Sequence, residues 1–155
     1  MNIREKATSQ APYLLRVLRI VLALLFIEHG TMKLFDFPPS EQVSHLTLLS
    51  LGGLAAVMEL VGGLLLLAGL FTRVTAFLLS GEMAAAYLIA HASRSFFPAL
   101  NMGEAAVIYC FLFLYLAAAG GGAWSLDMLF RSPRTSDRLH PSDRPSKHLG
   151  EAIPG

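Results

Sequence analysis

The chain has one cysteine, Cys110, and few charges. A single cysteine forms no internal disulfide, and dithiol redox chemistry takes two. Any redox role therefore belongs to a cofactor, a metal, a quinone or a partner subunit. Cys110 itself reads as a small apolar residue packed in a helix. Charged residues make up 15% of the sequence, against about 25% in soluble domains. A basic stripe with interleaved aromatics is missing, which argues against nucleic-acid binding. A P-loop, a dinucleotide fingerprint, a haem-attachment motif and a serine-hydrolase elbow are missing as well.

What is present is apolar. Hydrophobic residues make up 54% of the 155, the mean hydropathy is +0.55, and most of the charge lies toward the ends. This length makes one domain. Four apolar runs stand out, at 13–35, 51–71, 74–92 and 104–119. A spanning helix takes about 20 residues, because about 30 Å of hydrocarbon is crossed at about 1.5 Å per residue. The pattern predicts an all-α fold, an integral membrane bundle of four transmembrane helices over residues 13–130. The first run is interrupted by Glu28, His29 and Gly30 and lacks a small-x-small cleavage site, so it reads as a retained helix and not a signal peptide. Residues 1–12 read as a short N-terminal segment. Beyond Phe130, Ser, Pro and charge take over, and 131–155 reads as a disordered tail.

Lysine and arginine set the expected orientation. With four spans, both termini share a side with the turn at 69–73. That side holds Arg4, Lys6, Arg16, Arg19, Arg73 and the basic residues from Arg131 onward, whereas the other holds Lys33 and Arg94. Both termini are therefore expected in the cytoplasm. The turn Gly69-Leu70-Phe71-Thr72-Arg73 is short enough to force an antiparallel hairpin. Gly52, Ala55, Ala56, Glu59, Gly62 and Gly63 form a small-residue face for close helix contact.

Each apolar run carries a glutamate: Glu28, Glu59, Glu82 and Glu104. A charge at the centre of a membrane helix costs roughly 2.5–3.5 kcal/mol even on lenient scales, so such residues mark a polar site between helices. From the helical rise, Glu28 and Glu59 lie about 10–12 Å below the outer surface. His29, Lys33, His91, Arg94 and Glu104 fall in the same outer half. Glu82 lies deeper. It is nine residues from His91, on the opposite face of an ideal helix, so the two share no site without a kink. Several of these residues have simpler readings. Lys33 can snorkel to headgroups, Arg94 can pair with Glu104, and Glu104 can stabilise its helix N-terminus. A carboxylate-bridged di-iron site needs Glu-x-x-His on one helix face. Adjacent Glu28 and His29 fit that poorly, so no metal is expected.

The residues Glu28-His29-Gly30-Thr31-Met32-Lys33-Leu34-Phe35, Met58-Glu59-Leu60-Val61-Gly62-Gly63, Gly69-Leu70-Phe71-Thr72-Arg73, His91 with Arg94, Phe96-Phe97-Pro98 and Asn101-Met102-Gly103-Glu104 carry a resemblance. Over about 13–130 the chain resembles the DoxX family of small bacterial membrane proteins. The resemblance implies a multi-pass protein of the bacterial inner membrane. Relatives include a quinone-linked thiosulfate-oxidising subunit and proteins associated with membrane oxidoreductase complexes, while most members have no defined activity. The related four-helix vitamin K reductases use cysteine pairs, which this chain lacks.

Three functions follow as expectations. The leading one is a small subunit of a membrane oxidoreductase or electron-transfer system, with an outer polar pocket for a quinone head group or a sulfur compound. Glu28, His29 and Glu59 would carry its chemistry, and Lys33, His91, Arg94 and Glu104 would bind substrate. The second is a scaffold or assembly subunit. The third is a proton-linked carrier, with Glu82 on the proton path and a homo-oligomer to give it room. All three sit in a lipid bilayer, and the first two imply other subunits of a complex.

Overall fold

The computed structural model describes residues 2–40, 47–122 and 124–130. The tail expected at 131–155 lies outside the described residues. The chain folds into helices α1 (Ile3–Phe35), α2 (Leu51–Ala68), α3 (Thr72–Ala86), α4 (Pro98–Asn101), α5 (Glu104–Ala119) and α6 (Asp127–Phe130), with a π-helical turn over Tyr87–His91 continuing α3. No strand occurs among the described residues. Three helical segments, Thr8–Phe35, Leu51–Ala68 and Thr72–His91, are long and apolar enough to cross a membrane. Glu104–Ala119 is apolar but shorter.

Local chemistry sets the ends of these helices. The backbone N–H of Asn2 donates to Glu5 Oε2 at 3.1 Å, which ties off the start of α1. The helix therefore begins well before Tyr13 and carries Pro12 inside it. Ser50 Oγ accepts from Gly53 N–H at 3.1 Å and caps α2. Gly69, at φ 68°, ends α2 in the left-handed conformation that glycine adopts without steric cost. Phe71 follows at φ 49° and opens α3, so α2 and α3 form the expected antiparallel hairpin.

α1 packs closely on α2, and α3 on α5, while α2 and α3 meet over a shorter stretch. A Cβ on Gly30 would fall 2.7–2.8 Å from the Leu60 backbone, so only glycine permits this approach of α1 to α2. Ala56, Glu59, Gly62 and Gly63 are buried on the facing side of α2, as their spacing predicts. Leu22, Phe26, Leu66, Leu79, Phe113 and Leu116 fill the core. The Phe26 and Phe113 rings meet edge to face at 4.5 Å. Leu54, Val61, Leu64, Phe77, Phe111 and Leu114 point outward. Glu59, Arg19, Thr72 and Asn101 are buried. Apolar outside and polar inside is the arrangement that lipid demands and water does not.

At the end of the bundle that carries the α2–α3 hairpin, three charged residues act as fasteners. Arg19, 2% exposed, donates from Nη1 to Gly121 O at 2.6 Å and from Nη2 to Trp124 O at 2.7 Å. Arg73 Nη1 donates to Ala118 O at 2.6 Å and Ala117 O at 3.1 Å, placing a cation on the C-terminal carbonyls of α5. Asp127 accepts from Phe71 N–H at 2.7 Å and Thr72 N–H at 2.9 Å, capping α3. The Arg16 guanidinium lies between the Tyr13 and Trp124 rings, 4.6 and 4.7 Å from their centroids. Arg16 and Arg19 count toward the orientation expected from the sequence, and both are in addition buried structural contacts.

Burial pushes the Asp127 carboxyl up, but the hydrogen bonds from Thr72 and Phe71 and the charge of Arg19 outweigh it and hold it below the ordinary aspartate range. A group depressed in the folded state contributes stability above its unfolded value and loses it as pH falls through its folded value. We therefore expect thermal unfolding in detergent to show this contribution in full above about pH 4 and to lose it at lower pH. Asp127→Asn should unfold earlier at neutral pH and show a weaker acid dependence. Arg19→Met, which strands two carbonyls, should cost about 2–3 kcal/mol.

Candidate functional site

The end opposite the hairpin holds a cavity of about 170 Å³ between α1, α2, the continuation of α3, and α5. His29, Lys33, Glu59, His91 and Tyr109 supply its polar groups, and Phe26, Met83, Ala86 and Ala106 its apolar wall. Helical spacing brings two of these together: His29 and Lys33 are four apart on α1 and share a face. Glu59 reaches the same point from the small-residue face of α2. Lys33 Nζ meets Glu59 Oε1 at 2.5 Å. The glutamate side chain is 2% exposed and the lysine side chain 22%. Glu59 Oε2 is buried with no hydrogen-bond partner among the described residues.

The two imidazoles are held alike. His29 Nδ1 lies 2.8 Å from Leu25 O, and His91 Nδ1 lies 3.0 Å from Asn101 O. A carbonyl only accepts, so Nδ1 carries the proton in each case, and the neutral ring presents Nε2 as an acceptor. Asn101, 1% exposed, stabilises the connection that positions His91. Its Nδ2 donates to Ser95 O at 2.6 Å, and its Oδ1 accepts from Gly103 N–H at 2.8 Å.

His91 enters the cavity from the π-helical turn, where Ala92 N–H donates back five residues to Tyr87 O at 2.8 Å. Such wide turns recur at functional sites because they re-aim one helix end. Here the turn supplies the irregularity that the nine-residue spacing of Glu82 and His91 requires. The two residues still do not share a cavity. Glu82 lines a separate groove between α2 and α3, with Lys33 and Ala86 on the common wall.

The remaining expected residues lie elsewhere. Glu28 is exposed on α1 and does not line the cavity. Glu104 is exposed in the first turn of α5, where a carboxylate suits the helix dipole. Arg94 is exposed in the 92–97 connection. No Arg94–Glu104 ion pair occurs among the described residues, where Lys33–Glu59 is the one pair formed. Sequence reasoning missed Tyr109, Met83 and Asn101. Tyr109 and Met83 sit in apolar helices whose composition resembles any lipid-facing segment. Asn101 belonged to a quoted motif, but its carbonyl, not its side chain, orients His91.

Chemically, the cavity offers two imidazole acceptors, an ammonium, a carboxylate and an aromatic wall. It is smaller than the roughly 300–1,000 Å³ of drug-sized sites and suits a single-ring head group or a small oxyanion. No three His, Cys, Asp or Glu side chains are grouped so as to hold a metal ion among the described residues. Removing one partner of a buried pair leaves an uncompensated charge and costs about 3–5 kcal/mol. We therefore expect Lys33→Met to lower stability by about that amount. The double variant Lys33→Met/Glu59→Gln should be clearly more stable than the sum of its single variants, as read in a double-mutant cycle of detergent unfolding.

Comparison with known proteins agrees with this architecture. The DoxX family model matches residues 14–92, half of the chain, which takes in α1 from about its fourth turn onward, α2, α3 and the π-helical turn. An uncharacterized protein of Haemophilus influenzae is 47% identical over 138 residues, covering 84% of this chain and 98% of that relative. No solved structure matches the chain. The match spans His29, Lys33, Glu59 and His91, four of the five residues that supply the cavity's polar groups; Tyr109 lies beyond it. The chain belongs to the DoxX family.

Proposed function

We propose that this DoxX protein is a small inner-membrane subunit of an electron-transfer system and that its cavity binds a quinone head group or a small sulfur compound. The observation that carries the reading is the pair of imidazoles, His29 and His91, each tied at Nδ1 to a backbone carbonyl and lining one cavity. That arrangement leaves Nε2 of each for a ligand. As an acceptor, Nε2 takes a hydrogen bond from a quinol hydroxyl and can take its proton, and Glu59 beside it can take protons in turn. Lys33, whose ammonium keeps N–H donors beyond its bond to Glu59, would hydrogen-bond the ligand. Electrons come from a partner subunit, since the chain's single cysteine performs no dithiol exchange. Arg94 and Glu104, exposed near the mouth, would act on an approaching ligand and not on a bound one. In this reading both termini are cytoplasmic and the cavity opens toward the periplasm.

One observation favours a second reading, an assembly subunit. Glu28 is exposed within the span Thr8–Phe35. A carboxylate facing hydrocarbon costs roughly 2.5–3.5 kcal/mol, so a partner helix covering that flank of α1 would relieve it.

Solvent extracts of the purified protein, loaded with a tailed quinone, test the first reading. Wild type should retain quinone, and His29→Ala and His91→Ala should each weaken binding about tenfold while remaining folded. A folded wild type that retains none overturns the reading, and partner capture lost on Glu28→Leu would then support the second. For topology, a periplasm-active reporter should report after Ser40 and stay silent at the C-terminus.

A further inference from the structure

The groove that holds Glu82 has no part in the reading above. It lies between α2 and α3, has a volume of about 470 Å³, and is lined by Gly52, Met58, Gly81, Glu82 and Ile89, with Lys33 at one end. Almost all of this lining is apolar. Both carboxyl oxygens of Glu82 are nevertheless buried and have no hydrogen-bond partner among the described residues. Lys33, the nearest cation, is committed to Glu59. A buried polar group left without a partner costs free energy that folded proteins rarely tolerate.

Two features identify what would satisfy it. First, the groove opens sideways. A Cβ on Gly81 would meet nothing within 4 Å, and Leu54 and Ile89 at the rim are 57% and 63% exposed. The groove thus faces the bilayer, not the aqueous phase. Second, it continues. A crevice of about 220 Å³ runs on between the same two helices toward the hairpin end, lined by Val57, Val61, Leu65, Leu78 and Leu79, and Met58 is a wall of both. A polar anchor at one end of a long apolar track fits a molecule with one compact polar head and one apolar tail. In its acid form a carboxyl offers one donor and one acceptor, the complement of a head carbonyl or hydroxyl. An anionic phospholipid head is repelled by Glu82 once it ionises and finds no uncommitted cation in the groove.

We infer that the α2–α3 groove is the lateral portal through which a neutral, single-tailed amphiphile of the bilayer reaches this protein, with Glu82 holding its head and the Val57–Leu79 crevice its tail. This inference rests on the ligand-binding reading above and gives the ligand its route. Lys33 and Ala86 line both the groove and the cavity, so a head anchored at Glu82 lies one side chain away from the imidazoles.

Photoaffinity labelling in nanodiscs tests it, using two azidoquinone probes, one with an isoprenoid tail and one without. The tailed probe should label α2 and α3 peptides of wild type. Glu82→Leu and the groove-filling Gly81→Trp should each cut that labelling about tenfold, and Glu82→Gln, which keeps a donor and an acceptor, should cut it less. The tailless probe should label the His29–His91 cavity equally in all variants. Tailed-probe labelling that is indifferent to both Glu82→Leu and Gly81→Trp, in protein with unchanged melting behaviour, overturns the portal alone. Groove labelling with no labelling of the cavity by either probe keeps the portal and overturns the cavity reading. No labelling of wild type by either probe overturns both.

Discussion

The ion pair between Lys33 and Glu59 is the constraint around which one end of this bundle is arranged. Glu59 is among the most buried side chains of the molecule, and a carboxylate at that depth is tolerable only with a cation against it. Lys33 reaches it only because α1 and α2 approach closely. That approach depends in turn on Gly30 against the Leu60 backbone and on the small residues of α2. Once the pair forms, it becomes a partition. The imidazole cavity lies on one side and the Glu82 groove on the other, and Lys33 belongs to both walls. Two neighbouring compartments of different polarity thus arise from one contact between two helices.

The other end uses charge differently. There the terminal Nη nitrogens of Arg19 and Arg73 are spent on backbone carbonyls, and Asp127 is spent on backbone N–H groups at the start of α3, although Arg19 Nε is left without a partner among the described residues. These contacts close helix ends and fix the chain that follows α5 against the hairpin. The cavity end instead leaves Glu59 Oε2, both Glu82 oxygens and the two Nε2 atoms without partners among the described residues. Arginine and aspartate therefore serve as fasteners at one end, and glutamate and histidine are left as exchangeable partners at the other.

Much of this was legible in the sequence because lipid imposes simple rules. The length and spacing of the apolar runs placed α1, α2, α3 and α5. The Gly-rich turn announced the hairpin, and counting depth along each helix brought His29, Lys33, Glu59 and His91 to one level. Depth counting fails on direction, however. It put Glu28 with its neighbour His29, yet adjacent residues on a helix point about 100° apart, and only His29 faces inward. It also treats a helix as straight, so a π-helical turn at Tyr87–His91 was invisible in a run of ordinary helix formers. The structural contact of Arg19 was not legible, because positive charge near a span end serves orientation and structure equally well, and only its burial against Gly121 and Trp124 reveals the second role.

The shortness of α5 carries a consequence for the surroundings of the protein. From Glu104 to Ala119 its 16 residues rise about 24 Å, less than the roughly 30 Å thickness of a typical hydrocarbon core. If α5 crosses the bilayer, the membrane on this flank must thin toward the helix, which costs fractions of a kcal/mol per Å of mismatch. The Arg73 guanidinium sits at the point where the helix runs out, and it gives the descending headgroups and water a cation to meet. A crossing α5 would therefore make the protein deform the membrane unequally around its circumference, which favours thinner bilayers.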